Sequence, residues 1–236
     1  MSIQPSHAMV LAAGLGMRMR PITETIPKPM ITVGGRSMLD RALDHVRHAG
    51  VTRIIVNTHW LGDKIAAHLD GQGDITLIHE PDVLETGGGV QNALPHLGDQ
   101  PFFVVNSDII WTDGPDLPSL QQLAAQWDDA RMDALLLLHP RATAMGYEGK
   151  GDFFLNDDQR PQRRGTADQA PLIFSGVQIL SPRLFTDAPG GKYSLNILYD
   201  RALAQGRLFG HRHDGRWFHV GTPDALAPTT AALNGG

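Results

Sequence analysis

The apolar run Met9-Val10-Leu11-Ala12-Ala13 passes directly into Gly14-Leu15-Gly16-Met17-Arg18-Met19-Arg20-Pro21-Ile22-Thr23, and Pro27-Lys28-Pro29 follows shortly after. The first five residues read as a short buried strand that ends in a glycine turn. Glycine at 14 and 16 lets the main chain approach an anion closely and turns bare N–H groups from Ala13 to Gly16 toward phosphate oxygens. Arg18 and Lys28 add two fixed positive charges. The prolines on either side of Lys28 stiffen the backbone and present its ammonium from an extended segment. The string reads as a nucleotide loop. Two other phosphate loops are excluded by spacing. A dinucleotide fingerprint needs a glycine where Met19 stands, and a Walker loop needs Gly-Lys-Ser/Thr to close the turn.

Strand and helix signals alternate outward from this stretch. Ser37 to Ala49 has helical spacing through Met38, Leu39, Leu43 and Val46, closed by Gly50. Ile54-Ile55-Val56 is a strand ended by Asn57, Asp63 to Leu69 a short helix, and Ile75 to Ile78 a third strand. Val90 to Leu97 reads as a helix broken late by Pro95. Phe102-Phe103-Val104-Val105 is a fully apolar central strand that points at Asn106-Ser107-Asp108. Leu117 to Trp127 is the next helix and Ala134 to Leu138 the next strand. This alternation predicts an α/β protein with a Rossmann-like, doubly wound, mostly parallel sheet. Ligands in such sheets bind at the carboxyl ends of the strands, where both the glycine loop and Asp108 fall.

The second half is less regular. Tyr147 to Ala170 reads as a hairpin or a long lid-like loop. Leu172-Ile173-Phe174 and Val177 to Leu180 are strand pieces on either side of Ser175-Gly176. Ser194 to Ala204 is helical, Leu208 to His213 and Trp217 to Val220 are strands, and Pro223 to Leu233 is a final helix interrupted by Pro228. No linker or repeat divides the chain, so one domain over 1–236 is expected, with a distinct subregion over about 140–215. His211 and His213 share one strand face, but no further ligand stands at recognisable spacing. They read as solvated positions rather than a zinc site.

Composition narrows the function classes. A chain of 236 residues, 42% hydrophobic and 19% charged, can bury one substantial core. A formal charge of −5 gives no general attraction to nucleic acid or to anionic membranes. The absence of cysteine removes disulfides and thiolate chemistry and fits a reducing compartment. Met1 to His7 lack the basic and apolar regions of a secretory signal, and no apolar run reaches membrane-spanning length. The expected location is the cytoplasm. Nothing in the sequence specifies an oligomeric state.

Gly14-x-Gly16-x-Arg18-Met19-x-Pro21-x-Thr23 with Pro27-Lys28-Pro29 resembles the signature of sugar-1-phosphate nucleotidyltransferases. Leu84-Glu85-Thr86-Gly87-Gly88-Gly89, Asn106-Ser107-Asp108, Gly151-Asp152-Phe153, Phe174-Ser175-Gly176 and Trp217-x-x-Val220-Gly221-Thr222-Pro223 follow in the family's order and cover nearly the whole chain. Within the family the likeness is greatest to the short bacterial N-acetylmuramate-1-phosphate uridylyltransferases of cell-wall recycling. The resemblance implies the nucleotide-diphospho-sugar transferase fold. It also implies a nucleoside triphosphate, with UTP favoured, and a sugar 1-phosphate as substrates, and pyrophosphate as the released product. Mannose-1-phosphate guanylyltransferase and glucose-1-phosphate thymidylyltransferase are the enzymatic alternatives. A non-catalytic sensor of sugar nucleotides is the alternative outside enzymology.

The resemblance also distributes roles. Arg18 is expected on the β- and γ-phosphates and Lys28 near the α-phosphate, where charge develops. Ala13, Gly14, Leu15 and Gly16 would cradle the nucleotide, with the base held by Glu80, Glu85 and Gly88, the glycines leaving room for a flat ring. Glu85 has an equally good reading as an acid at a helix start. Asn106 is expected on sugar or ribose hydroxyls, and Gly151, Asp152, Ser175 and Gly176 in the sugar pocket. Asp108 is the metal candidate, for magnesium with manganese as the alternative, because hard dications take carboxylate and phosphate oxygens. Relatives usually carry an aspartate two residues before Gly221, where this chain has His219. Unit charges about 4 Å apart interact by roughly 4 kcal/mol at an effective dielectric near 20, so that exchange matters. Three arrangements are open. His219 ligates in the acid's place, Asp113 compensates, or the metal rests on Asp108, phosphates and water. The third is preferred.

Overall fold

The computed structural model describes residues 4–235. Met1–Ile3, part of the stretch read above for a leader, and Gly236 lie outside the described residues. The strands in chain order are β1 (His7–Leu11), β2 (Thr32–Val33), β3 (Arg36–Ser37), β4 (Arg53–Thr58), β5 (Ile75–His79), β6 (Phe102–Asn106), β7 (Ile109–Trp111), β8 (Ala134–Pro140), β9 (Phe153–Leu155), β10 (Pro161–Arg163), β11 (Leu172–Leu180), β12 (Leu208–Arg212) and β13 (Trp217–His219). The α-helices are α1 (Met38–His48), α2 (Gly62–Leu69), α3 (Glu85–Leu97), α4 (Ser119–Gln126), α5 (Asn196–Ala204) and α6 (Leu226–Asn234).

Four parallel strands in the order β5-β4-β1-β6 form one half of a nine-stranded sheet. β11 joins β6 antiparallel, β8 joins β11 antiparallel, and β12 closes that side parallel to β8. The sheet is therefore mixed, as the fold expectation had it. After β1 the chain builds outward through β4 and β5, then returns to lay β6 on the opposite flank of β1. That reversal is the switch point at which open α/β sheets bind ligands.

The central strands are apolar on both faces because both faces are covered. Ala8, Val10, Ile54, Val56, Phe103 and Val105 pack with Leu39, Leu43 and Val46 of α1 and with α2 and α4. Their alternates Met9, Ile55, Phe102 and Val104 pack with Val90 and Ala93 of α3 and with α5. A third cluster joins Met19, Ile31, Val33, Ile110, Phe218 and Val220 to Leu226 and Leu233 of α6. The C-terminal helix thus underlies the glycine loop, about two hundred residues away in sequence.

Several expectations are corrected. The helix expected from Val90 begins a turn earlier, since α3 starts at Glu85 and its first turns carry all three glycines. Gly87 and Gly88 accommodate the 191–193 segment, their N–H groups both donating to the Tyr193 carbonyl at 2.9 and 3.1 Å. Pro95 sits inside α3 without ending it before Leu97. The two pieces around Ser175 are one strand, β11, whose register against β8 shifts between Phe174 and Gln178. Pro228 falls in the first turn of α6, where a missing N–H costs nothing, so it does not interrupt the helix. The 147–170 region does contain a hairpin, β9-β10, at the sheet edge.

His213 is buried, not solvated. Its Nε2 lies 3.0 Å from the Thr112 carbonyl and so carries the proton, which leaves Nδ1 to accept from His139 Nδ1 at 2.9 Å. His139 Nε2 then accepts from the Thr143 hydroxyl at 3.1 Å. Burial, with the nearby His213 and Arg212, pushes His139 from the ordinary 6.5 down to about 4. The unfolded chain therefore binds an extra proton between those values, and the stability from this pair is complete above about pH 6.5 and falls as pH drops toward 4. Urea midpoints should decline over that window, and His139→Gln should flatten the decline. Each unit of pKa difference corresponds to about 1.4 kcal/mol. An unchanged slope in the variant would refute the assignment.

Candidate active site

A cavity of about 310 Å³ opens at the carboxyl ends of β1, β4 and β6. Its wall includes Leu11 to Gly14, Gly16 to Met19, Lys28, Asn57, Glu80, Glu85, Thr86 and Asn106 to Asp108. Ala13, Gly14, Gly16, Arg18, Lys28, Glu80, Glu85, Asn106 and Asp108 are thus brought together from five separate segments. Leu15 is exposed beside the mouth and is not among the lining residues.

The glycine loop is held by its own turn chemistry. Gly16 is left-handed (φ 61°), and a Cβ there would meet Thr23 Cγ2 at 2.9 Å and Lys28 Cβ at 3.1 Å. Thr23 Oγ1 donates to the Gly16 carbonyl at 2.9 Å, and the Trp60 indole donates to the Thr23 carbonyl at 2.8 Å. Arg18 follows in a single 3-10 turn with an exposed side chain. Lys28 does not sit in an extended segment. Pro27 is extended, but Lys28–Met30 is a 3-10 turn, with Met30 N–H donating to the Pro27 carbonyl at 2.8 Å. The prolines still brace it, and the side chain is only 9% exposed.

Lys28 Nζ lies 2.7 Å from Asp108 Oδ2. The Asp108 side chain is 41% exposed, so its carboxylate sits at the cavity surface rather than beneath it. Ser107 fixes that position, its hydroxyl and N–H both donating to the Leu11 carbonyl at 2.5 and 3.2 Å and tying the end of β6 to β1.

His219 ends β13 opposite Ile109, the neighbour of Asp108. Burial lowers its pKa, and Lys28 and Arg18 lower it further against an opposing effect of Asp108. The ring is held neutral within the field of Lys28, Arg18 and Asp108. Among the described residues no group of three His, Cys, Asp or Glu side chains is placed to hold a metal. Asp113 does not compensate. Its Oδ1 accepts from the N–H and hydroxyl of Ser119 at 2.8 and 2.7 Å, and its Oδ2 lies 3.5 Å from His45. Although burial opposes ionisation, the His45 and Ser119 hydrogen bonds hold this carboxyl well below the usual carboxylate range. It anchors the start of α4.

Glu80 is 1% exposed and has both oxygens engaged, Oε1 by Asn57 Nδ2 at 2.7 Å and Oε2 by the Leu84 N–H at 3.2 Å. It braces the cavity wall from behind. Gly89 is needed there, because a Cβ would stand 2.9 Å from both Asn57 Nδ2 and Glu80 Oε1. Gly88 faces away from the cavity, where a Cβ would collide with the Gly191 carbonyl. Its place as a base platform is therefore corrected to a helix-packing contact. Glu85 lines the cavity with an exposed side chain and φ 60°, an uncommon conformation for a residue with a Cβ.

The sugar-pocket candidates are spread along β11 and the β9 hairpin. Ser175 is fully buried. Its hydroxyl accepts from Val177 N–H at 3.3 Å and its carbonyl from the Trp217 indole at 2.9 Å, so the side chain is structural. Gly176 (φ 88°) backs Asn106, and a Cβ would meet that side chain at 3.1 Å. Asp152 Oδ2 accepts from the Phe174 N–H at 2.9 Å. Gly151 (φ 81°) passes against the Ala170 carbonyl.

A family model, the MobA-like NTP transferase domain, matches residues 8–175. The chain belongs to that family. This NTP transferase is 40% identical over 240 residues to the N-acetylmuramate alpha-1-phosphate uridylyltransferase of Caulobacter vibrioides, covering 99% of both chains. Its identity to the protein of the same name from Neisseria meningitidis serogroup B is 36% over 223 residues, covering 91% of this chain and 93% of the other. The solved inositol-1-phosphate CTP transferase from T. maritima superposes with a TM-score of 0.76 at 18% identity, over 96% of this chain and 93% of that one, a likeness in fold.

One residue of the transferase site escaped sequence reading. Asn57 accepts from the Ala12 N–H at 2.8 Å and donates to Glu80, which couples the glycine loop to the wall beneath Glu85. The available signal was its position as a polar residue ending an apolar parallel strand, the same signal that marked Asn106. Asn57→Ala leaves a buried N–H and a buried carboxylate oxygen each short of a partner, at about 1–3 kcal/mol apiece. Urea denaturation should show a loss of that size. A loss below 0.5 kcal/mol (roughly the level of a surface change) would show that neither group depends on Asn57.

Proposed function

We propose that this nucleotidyltransferase joins N-acetylmuramate 1-phosphate to the uridylyl group of UTP and releases pyrophosphate. The single observation behind this choice of substrates is end-to-end similarity, at 40% identity, to a protein of that activity. The cavity chemistry supports it, with Arg18 and Lys28, a glycine-lined floor, and Asp108 just past the carboxyl end of β6. The product would return a recovered cell-wall sugar to the nucleotide-sugar pool in the cytoplasm, where triphosphates are abundant. The chain acts as one catalytic domain with the sugar held by the 140–215 subregion.

In the proposed reaction a non-bridging oxygen of the sugar phosphate attacks the α-phosphorus in line. The bond from that phosphorus to the β-bridging oxygen breaks, and pyrophosphate leaves with the electron pair. No covalent enzyme intermediate is needed, so acceleration comes from positioning and electrostatics. Arg18, exposed on its 3-10 turn, takes the leaving β- and γ-phosphates. Lys28 neutralises the charge that grows on the α-phosphate. Main-chain N–H groups around Gly14 and Gly16 bind phosphate oxygens, and Glu85 and Thr86 border the base. Asn106 and Asp152 orient sugar hydroxyls.

The donor set fits a dication that arrives with the nucleotide. Asp108 offers a carboxylate at the cavity surface, and magnesium is commonly held by one or two carboxylates plus substrate phosphates and water. Bound there by Asp108, with His219 as the neighbouring neutral donor, magnesium or manganese would supply Lewis-acid stabilisation of phosphate charge.

Pyrophosphate release should be measured with UTP, CTP, GTP and dTTP against N-acetylmuramate, mannose and glucose 1-phosphates. UTP with the N-acetylmuramate ester should have the highest kcat/KM, and absence of turnover with that pair would remove the proposal. Arg18→Ala and Lys28→Ala should each lower kcat by about 10²–10³-fold, and at the exposed Arg18 this should come with little change in melting temperature.

A further inference from the structure

Lys28 and Asp108 are expected to serve different ligands, a phosphate and a dication, yet without ligands they hold each other at 2.7 Å. Among the described residues Asp108 is the only carboxylate within 4.0 Å of Lys28. Lys28 is nearly buried, and an ammonium withdrawn from water needs an anionic partner. We propose that the Lys28–Asp108 ion pair is a latch that closes the cation site until a nucleotide phosphate takes Lys28 away. The proposal rests on the nucleotidyltransferase reading above and deepens it.

Charge balance carries the argument. In the ligand-free cavity the ammonium and the carboxylate neutralise each other. A dication alone cannot use Asp108 without stranding Lys28 beside it, nearly buried and repelled by the new charge. Phosphate alone draws Lys28 off and strands Asp108 against the incoming anion. When both arrive, Lys28 exchanges the carboxylate for phosphate, Asp108 exchanges the ammonium for the dication, and no charge is left unpaired. The backbone need not move for this, since the 3-10 turn between Pro27 and Pro29 fixes the root of Lys28 while its four-carbon stem swings. Ser107, tied to the Leu11 carbonyl, fixes the root of Asp108. The site thereby resists free metal ions in the absence of substrate.

Mn2+ titrated into the nucleotide-free protein, followed by calorimetry or by loss of the free-ion EPR signal, tests the latch without any turnover. Lys28→Met should tighten Mn2+ binding about tenfold or more relative to wild type. Arg18→Met removes the same charge from the same cavity without breaking the pair, and it should change affinity by much less. Lys28→Gln covers the case in which Lys28→Met does not fold, with thermal melting as the check. Equal effects of the Lys28 and Arg18 variants would reduce the latch to general electrostatics and overturn it, as would unchanged affinity in the Lys28 variants. A separate titration of wild type with UTP in the presence of Mg2+ keeps the two readings apart. No UTP binding would undo the nucleotide site itself, whereas normal UTP binding beside an unresponsive Mn2+ affinity would undo only the latch.

Discussion

Three strands in parallel register carry everything else. β1 pairs with β4 on one side and β6 on the other, so that Leu11 stands opposite both Asn57 and Asn106. The carboxyl ends of three buried, apolar strands are thereby brought to a single edge, and the polar groups cluster there. The glycine loop leaves from one strand end, the Asn106-Ser107-Asp108 turn from the next, and the Asn57–Glu80 bridge from the third. Moving one strand by a single residue would exchange its two differently packed apolar faces and carry its terminal polar residue out of line with the other strand ends. The same packing that stabilises the sheet therefore sets the separations of the charges in the cavity.

Around that edge the polar groups divide into those that hold position and those left for ligands. Glu80, Asn57, Ser107, Thr23 and Trp60 spend their hydrogen bonds on the protein. Arg18, exposed and, among the described residues, without such ties, and Asp108, open on one side, present their charges at the cavity surface. Buried donors and acceptors have to be paired, so a residue sealed in the wall, such as Glu80, is committed to structure whatever its charge. Asp113 follows the same rule at the far end of the β7–β13 ribbon.

His219 illustrates how neighbours alter a side chain's chemistry. It stacks on Trp217 with ring centroids 6.0 Å apart, in line with the buried histidine pair below. Gly221 is small enough to leave room for its ring, which a Cβ there would strike. Partly buried and facing Lys28 and Arg18, it keeps a neutral ring, the protonation state in which imidazole is able to donate to a metal.

Local chemistry made much of this legible. Apolar runs with glycine or polar ends marked the strands of the parallel layer, and Gly-x-Gly with Arg18 and Lys28 marked the phosphate loop. These features are short-range, because a turn, a charge and a hydrophobic period are properties of adjacent residues. What the tertiary structure alone decided is which polar residues face the cavity. Lys28 and Asp108 are eighty residues apart and meet only through the β1–β6 pairing. Ser175 and Gly88, both plausible at the site by motif, are turned into packing by Trp217 and by the Gly191–Tyr193 segment. His213, which alternates like a surface strand residue, is buried by a partner seventy-four residues away. Burial and hydrogen-bond partnership are properties of distant neighbours, and distant neighbours are assembled only when the chain folds.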